Sequence, residues 1–379
     1  MTEAVLSSFE FLLAGFSHLT WGQAVMILVG GGLIYLGIAR GYEPLLLLPI
    51  GFGAILVNLP LTGLMEPGGL LRFFYDKGVL TEVFPCLIFI GIGAMTDFGP
   101  LLENPKILLL GAAGQFGIFL TLLLALALGF SRLDAVAVGI IGACDGPTAI
   151  FVTSRYAPHL LGAVSVAAYS YMSLVPLVQP PIMRLLTTQK ERAVAMENPR
   201  SPAGRTARIL FPITVTVLTC LIAPKGAPLM GMIMLGNLIR ESGVVPRLTQ
   251  SAQNEIANVV TLFLGVSIGA TMQAHLFLRG QTLLVLALGL AAICLDTIMG
   301  VLFGKLMCLL SRGKINPLIG AAGISAYPMA ARVCQIEGQR WNKKNYLLMH
   351  AMGANTGGQI GSVMAAGIML SVLEGMKII

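Results

Sequence analysis

The clearest chemical signal in this chain is a carboxylate placed where its neighbours leave it no water. In the run Gly139-Ile-Ile-Gly-Ala-Cys-Asp-Gly-Pro-Thr-Ala-Ile150, Asp145 stands at the centre of an apolar segment. A charge at mid-bilayer costs about 3 kcal/mol on insertion scales, so such a residue faces a cavity, a partner or an ion. Gly146 permits a sharp bend and Pro147 cannot donate to a helix ladder, which predicts free backbone carbonyls near Ala143 and Cys144. A carboxylate beside free carbonyls is an oxygen site for a hard cation. The plainer alternative is an aspartate that caps the next helix at a membrane interface.

A second interrupted stretch offers neutral oxygens. Asn316 and Ser325 lie in it, Gly320 and Gly323 allow close backbone approach, and Arg332 ends it. The last apolar segment adds Asn355, within Met352-Gly-Ala-Asn-Thr-Gly-Gly-Gln-Ile-Gly361. One carboxylate with several neutral oxygens suits a monovalent cation better than Ca²⁺ or Zn²⁺. Asn355 and Ser325 also suit interhelical hydrogen bonding. Tyr171, mid-segment, needs a partner for its phenol. Asp296, in Cys294-Leu-Asp-Thr297, is a second ion candidate, and Asp97 reads as a helix-end or interface residue. The six cysteines contain no C-x-x-C pair and the four histidines no H-E-x-x-H, so neither a zinc site nor a redox pair is expected.

The elements that position these residues follow from composition. Of 379 residues, 56% are hydrophobic and only 11% charged. A soluble domain carries roughly 25% charged residues, so the chain reads as an all-α polytopic membrane protein, with about ten membrane segments at ~20 residues each. Charge-free windows run from residue 19 to 39, 44 to 65, 83 to 96, 107 to 131, 156 to 183, 209 to 224, 226 to 239, 256 to 278 and 346 to 373. Three others are short or interrupted: 135 to 154 by Asp145-Gly-Pro, 280 to 304 by Asp296, and 315 to 331 by Asn316-Pro317 and Tyr327-Pro328. They read as broken helices or re-entrant hairpins. Arg184 to Arg208 concentrates Arg184, Lys190, Arg192, Arg200, Arg205 and Arg208, which predicts a cytoplasmic loop. The net charge of +7 comes without basic runs interleaved by aromatics, so no nucleic-acid partner is expected.

That loop divides two similar halves. Pro44 to Gly51 matches Pro228 to Gly236, Ile92-Gly-Ala94 before Asp97 matches Ile268-Gly-Ala270 before Gln273, and Ile141-Gly-Ala143 before Pro147 matches Ile319-Gly-Ala321 before Pro328. Three matches in one order imply an internal repeat. With about five elements per half the two would be inverted, and their site would lie where the interrupted helices meet near the midplane. The organisation expected is an N-terminal interfacial helix and first span (1–40), a first repeat (41–183), the basic loop (184–208) and a second repeat (209–379). Val5, Phe9, Leu12, Leu13 and Phe16 recur at helical spacing in the interfacial segment, and the absence of Lys or Arg before Arg40 argues against a cleaved signal.

Six runs carry a resemblance across residues 20 to 373: 93–102 (Gly-Ala-Met-Thr-Asp-Phe-Gly-Pro-Leu-Leu), 145–150 (Asp-Gly-Pro-Thr-Ala-Ile), 179–188, 316–323 (Asn-Pro-Leu-Ile-Gly-Ala-Ala-Gly), 328–332 (Pro-Met-Ala-Ala-Arg) and 350–353 (His-Ala-Met-Gly). The chain resembles the integral-membrane beta subunit of the biotin-dependent sodium-pumping decarboxylases, which act in oxaloacetate, glutaconyl-CoA, methylmalonyl-CoA or malonate systems. The resemblance implies a subunit of the bacterial cytoplasmic (inner) membrane that decarboxylates carboxybiotin and exports Na⁺. It implies Asp145 as the acidic sodium ligand, with Asn316, Gly320, Ser325, Asn355 and Arg332 in the ion and carboxybiotin site and Tyr171 in the same pathway. Two departures keep the polar residue: Ala143-Cys144 where Gly-Ala is common, and Ala354-Asn-Thr-Gly-Gly358 where Pro-Asn-Val-Ala-Gly is common. Met376-Lys377 follows a membrane span without a carrier domain, so the biotin is expected on a separate biotinyl carrier subunit. A soluble carboxyltransferase alpha subunit, a small gamma or delta membrane subunit and assembly as a homo-oligomer complete the expected complex. The rival reading from the residues alone is a secondary cation transporter or antiporter without decarboxylation.

Overall fold

A computed structural model describes residues 14–41, 43–197 and 203–375. The expected interfacial helix falls largely outside these residues, as do Met376 and Lys377. Among the described residues every regular element is helical.

The first half contains α1 (Trp21–Arg40), α2 (Pro44–Val57), α3 (Val83–Met95), the apolar span α4 (Pro105–Ala127), α5 (Arg132–Gly139), α6 (Gly146–Tyr156) and α7 (Leu161–Leu186). The second contains α8 (Arg205–Ile222), α9 (Ala227–Ser242), α10 (Ala257–Ala270), α11 (Gly280–Leu310), a 3₁₀ segment (Pro317–Gly323), α12 (Met329–Trp341) and α13 (Leu348–Gly375). Local chemistry sets the boundaries. Thr20 and Gln23 form a capping box at the start of α1, and Gly41 closes it in the left-handed region at φ 66°. Among the described residues six helices are long and apolar enough to cross a membrane: α1, α4, α7, α8, α11 and α13. The shorter apolar helices α2, α3, α9 and α10 complete ten segments. The protein is a polytopic helical membrane protein.

Partner exchange shows how the halves relate. Helix α2 packs on α10 and α3 packs on α9, while α1 lies on α2 and α8 on α9. Glycines let the backbones touch: a Cβ on Gly53 would collide with Val266 O and one on Gly269 with Ile50 O, while Gly93 faces Ile233 O and Gly236 faces Ile90 O. The exchange repeats in hydrogen bonds, since Asn58 Nδ2 donates to Met272 O (2.9 Å) and Asn237 Nδ2 to Thr96 O (3.0 Å). By the glycine contacts the counterpart of Gly236 is Gly53, not Gly51, which shifts the expected register of the first match by two residues; the two asparagines follow the exchange but not that register. Only 6% of the apolar window of α8 and 22% of that of α1 is buried, against 72% for α13, so α1 and α8 are peripheral and α13 is central.

The two interrupted segments are hairpins based at opposite ends of α7, a helix about 39 Å long at 1.5 Å per residue. The first descends through α5 and a 3₁₀ turn (Ile140–Ala143) and returns through α6. Its base holds the Asp134–His159 contact (3.2 Å) and the Arg155–Glu82 pair (3.4 Å), near the start of α7. The second enters through Pro317–Gly323, crosses an extended stretch and returns through α12. At its base Asn316 Nδ2 donates to Arg192 O (3.0 Å) and Val194 O (2.7 Å), and Asn342 Nδ2 to Ala193 O (3.1 Å). That end, beyond the C-terminus of α7, is called the basic face below.

Two expectations about breaks are corrected. Helix α11 runs unbroken through Asp296, because the carboxylate is enclosed and accepts Gly117 N–H at the start of a helical stretch of α4 (2.6 Å). Arg184 belongs to α7 rather than to a loop, and forms a bidentate pair with the buried Glu337 (2.7 and 2.8 Å).

Candidate functional site

The hairpin tips meet. Ser325 N–H donates to Ala143 O (3.1 Å), so the carbonyl expected to be free is instead the bond that joins the two breaks. Cys144 turns the first tip in the left-handed region (φ 51°), and Asp145 follows as N-cap of α6, with Gly146 and Pro147 in its first turn. Thr148 N–H reaches Asp145 Oδ1 at 3.5 Å. Asp145 thus has the geometry of a helix cap, yet at a tip where it is only 7% exposed, not at an interface. Thr148 Oγ1 (2.6 Å) and Ser362 Oγ (3.1 Å) both lie at Asp145 Oδ2.

Ser325 presents a usable oxygen. Its hydroxyl proton goes to Gly358 O (2.9 Å), which leaves its lone pairs free. One turn earlier on α13, Asn355 Nδ2 donates to Ile324 O (2.6 Å), while its Oδ1 is buried without a hydrogen-bond partner among the described residues. The second tip is further tied by Gln179 Nε2 to Ala321 O (2.6 Å) and Gln115 Nε2 to Gly323 O (2.9 Å).

A cavity of about 610 Å³ opens beside the tips. Asp145, Ser325 and Arg332 all line it, together with Cys144, Gly146, Tyr169, Glu43 and Gln359. Its wall continues toward the basic face through Tyr327, Met95 and Gln253, whose Nε2 donates to Ala94 O (2.5 Å). Arg332 is exposed there. The volume lies within the roughly 300–1,000 Å³ range that holds a small organic ligand.

The other expected residues lie outside this lining. Asn355 sits directly behind the tip contact. Tyr171 donates its hydroxyl to Leu286 O on α11 (2.5 Å). Asn316 caps the 3₁₀ segment, its Oδ1 accepting Leu318 N–H (2.9 Å), at the hairpin base. Gly320 is where that hairpin touches α11, against Gly300 O. Residues that sequence reasoning passed over are Thr148, Ser362, Tyr169, Glu43 and Gln359. The Asp145-x-x-Thr148 spacing is a capping pattern and was the one available signal among them.

The matches to known proteins give the family. Residues 22–373 match the family model of the Na⁺-transporting oxaloacetate decarboxylase beta subunit. The chain belongs to that family. Methylmalonyl-CoA decarboxylase subunit beta of Veillonella parvula is 55% identical, over 95% of this chain and 96% of its own. Glutaconyl-CoA decarboxylase subunit beta of Acidaminococcus fermentans is 54% identical, over 96% of each chain. The oxaloacetate decarboxylase beta chain of Klebsiella pneumoniae is 48% identical, over 96% of this chain and 98% of its own. The protein is therefore a membrane subunit of a sodium-pumping, biotin-dependent decarboxylase complex, and not a transporter without chemistry.

Proposed function

We propose that this chain removes CO₂ from carboxybiotin presented by a separate carrier subunit and couples that step to outward Na⁺ movement. The observation that carries the reading is the convergence of Asp145, Ser325 and Arg332 on one cavity at the contact between two opposed hairpins. Relatives named for three different substrates match it at 48–55% identity, which supports a step common to all three. Loss of CO₂ from a carboxylated carrier is such a step.

In this reading the basic face is cytoplasmic, because the Lys- and Arg-rich connection between α7 and α8 lies there. The membrane is the bacterial inner membrane. The repeats are inverted, and each extends to take in its peripheral helix, α1 or α8. Asp145, Ser325 Oγ and Asn355 Oδ1 hold the sodium cargo, with Asn316 and Gly320 setting the hairpin that presents Ser325. Arg332, at the cavity mouth, holds the carboxylate of the incoming carboxybiotin, and Ser325 contacts its ureido ring. Departure of CO₂ leaves a basic nitrogen that takes up a proton, and transfer of that proton by way of Asp145 exchanges the bound Na⁺ outward. Moving one Na⁺ against 100 mV requires about 2.3 kcal/mol, so CO₂ release must wait for ion occupancy. A biotinyl carrier, a carboxyltransferase alpha subunit and a small gamma or delta membrane subunit complete the complex, which is homo-oligomeric in this chain.

The test is the reconstituted complex in proteoliposomes, with CO₂ release and Na⁺ flux measured together. Asp145→Asn should lower sodium-dependent CO₂ release about 100-fold, the effect of roughly 2.7 kcal/mol at a charged ligand. Full sodium-dependent turnover in that variant would refute the assignment.

A further inference from the structure

One buried polar group beside the tips has no assigned role. Tyr169, on the face of α7 that meets the first hairpin, is 2% exposed, and its ring and hydroxyl lie against Gly146, where a Cβ would collide with them. It lines the same cavity as Asp145 and Ser325. Its hydroxyl is buried without a hydrogen-bond partner among the described residues. A buried hydroxyl with nothing to bond is costly and calls for an explanation, of which an ion or water bound in the site is one. The charges around the cavity indicate what that occupant is. Its wall carries Asp145 at the hairpin tip and the half-buried Glu43 just before α2, while the one cationic side chain among its described lining residues, Arg332, is exposed. The tip end, where Tyr169 and Asp145 lie, therefore favours a cation, and a phenol oxygen is a neutral ligand for a hard monovalent ion.

We propose that Tyr169 Oη is a further ligand of the sodium ion held at Asp145, closing the coordination from the α7 side. The proposal rests on the cation site described above. Its test is Tyr169→Phe in the reconstituted complex, a change that removes one oxygen and keeps the ring on Gly146. The sodium concentration for half-maximal CO₂ release should rise about five- to tenfold, the scale of one polar contact, with the KM for the carboxylated carrier unchanged. Because the lost hydroxyl has no protein partner, the melting temperature without sodium should not fall, whereas its rise on adding sodium should shrink. Half-saturation within twofold of wild type, or a rise in carrier KM instead, overturns the proposal. Asp145→Asn is measured in parallel. If that variant keeps its sodium dependence, the cation site itself lies elsewhere; if it loses it while Tyr169→Phe behaves as wild type, the Tyr169 assignment alone fails. Should Tyr169→Phe not assemble, a near-ultraviolet tyrosine difference spectrum of the wild-type complex during sodium titration decides. A saturable change with the midpoint of turnover supports the ligand, and a flat spectrum excludes it.

Discussion

The two hairpin tips share a plan and differ in what holds them. The second is fastened through its backbone: amides of Gln115, Gln179 and Asn355 donate to Gly323 O, Ala321 O and Ile324 O, and none of these bonds involves a charge. The first is fastened largely through the carboxylate of Asp145, which gathers Thr148 Oγ1 from its own helix and Ser362 Oγ from α13. On the proposed reading the second tip, held by neutral amide bonds, is the fixed wall, while the first, joined to it by Ser325 N–H on Ala143 O, responds to what its carboxylate binds. Ser362 illustrates the point. Its single proton has two acceptors, Asp145 Oδ2 at 3.1 Å and Gln359 O at 2.9 Å. On the proposed reading, a cation on Asp145 would compete with the first bond and leave the second, which would pass ion occupancy to the central helix α13. An inverted repeat whose halves were chemically equal would have no such asymmetry to use.

The contrast can be broken most severely at the second hairpin's one charged group in the cavity. Arg332→Ala should raise the KM for the carboxylated carrier about 100-fold, the range for losing a charge-assisted pair, while sodium half-saturation stays within twofold. Arg332→Lys should restore part of the loss, since a point charge replaces a fork. A sodium effect as large as the carrier effect would show that the two tips do not divide the work. A smaller effect belongs to Ser362→Ala, which removes a donor to Asp145. Sodium half-saturation should change about two- to fivefold, the scale of an intramembrane hydrogen bond, and the coupling ratio of Na⁺ to CO₂ should fall, as read by simultaneous flux and release. An unchanged ratio would mean that α13 does not sense the ion.

How much of this was legible in the sequence depends on whether one position carries its own contradiction. Asp145 does: a charge, a glycine and a proline coincide in an apolar window, so both the break and the carboxylate stand out before any fold is known. Arg332 stands out as the charge that ends the second break, whereas Ser325 is singled out only by lying in that break and by the family resemblance. Thr148 and Ser362 do not, because hydroxyls are ordinary in membrane helices, where most bond a carbonyl of their own turn. Tyr169 and Tyr171 are two residues apart, about 200° around a helix, and nothing in the run 167–172 says which phenol faces the cavity. Asp296 was misread as a break because its partner, Gly117 N–H, is 179 positions away. The three short matches that predict a repeat leave its register open, since glycines recur so closely in α2 that Gly51 and Gly53 serve equally well until a contact distinguishes them.

The smallest expected effect tests whether the second tip is only a wall. Gln115 is 3% exposed, and its Nε2 donates to Gly323 O at 2.9 Å, two residues before Ser325. Its Oε1 is buried without a partner among the described residues, so the side chain serves the hairpin through its amide bond to Gly323 O, with a weaker contact to Gly111 O (3.5 Å). Gln115→Leu keeps most of the volume and deletes the donor. Two terms then oppose each other: Gly323 O loses its partner, at about 0.6–2 kcal/mol for such bonds in a membrane, while the unpartnered Oε1 disappears, which returns part of that. The net change should be a fall of a few degrees in melting temperature, with sodium half-saturation and carrier KM both within twofold of wild type. If sodium half-saturation moved while the melting temperature did not, the second tip would be responding to the ion as the first does, and the division between a fixed wall and a responsive tip would have to be abandoned.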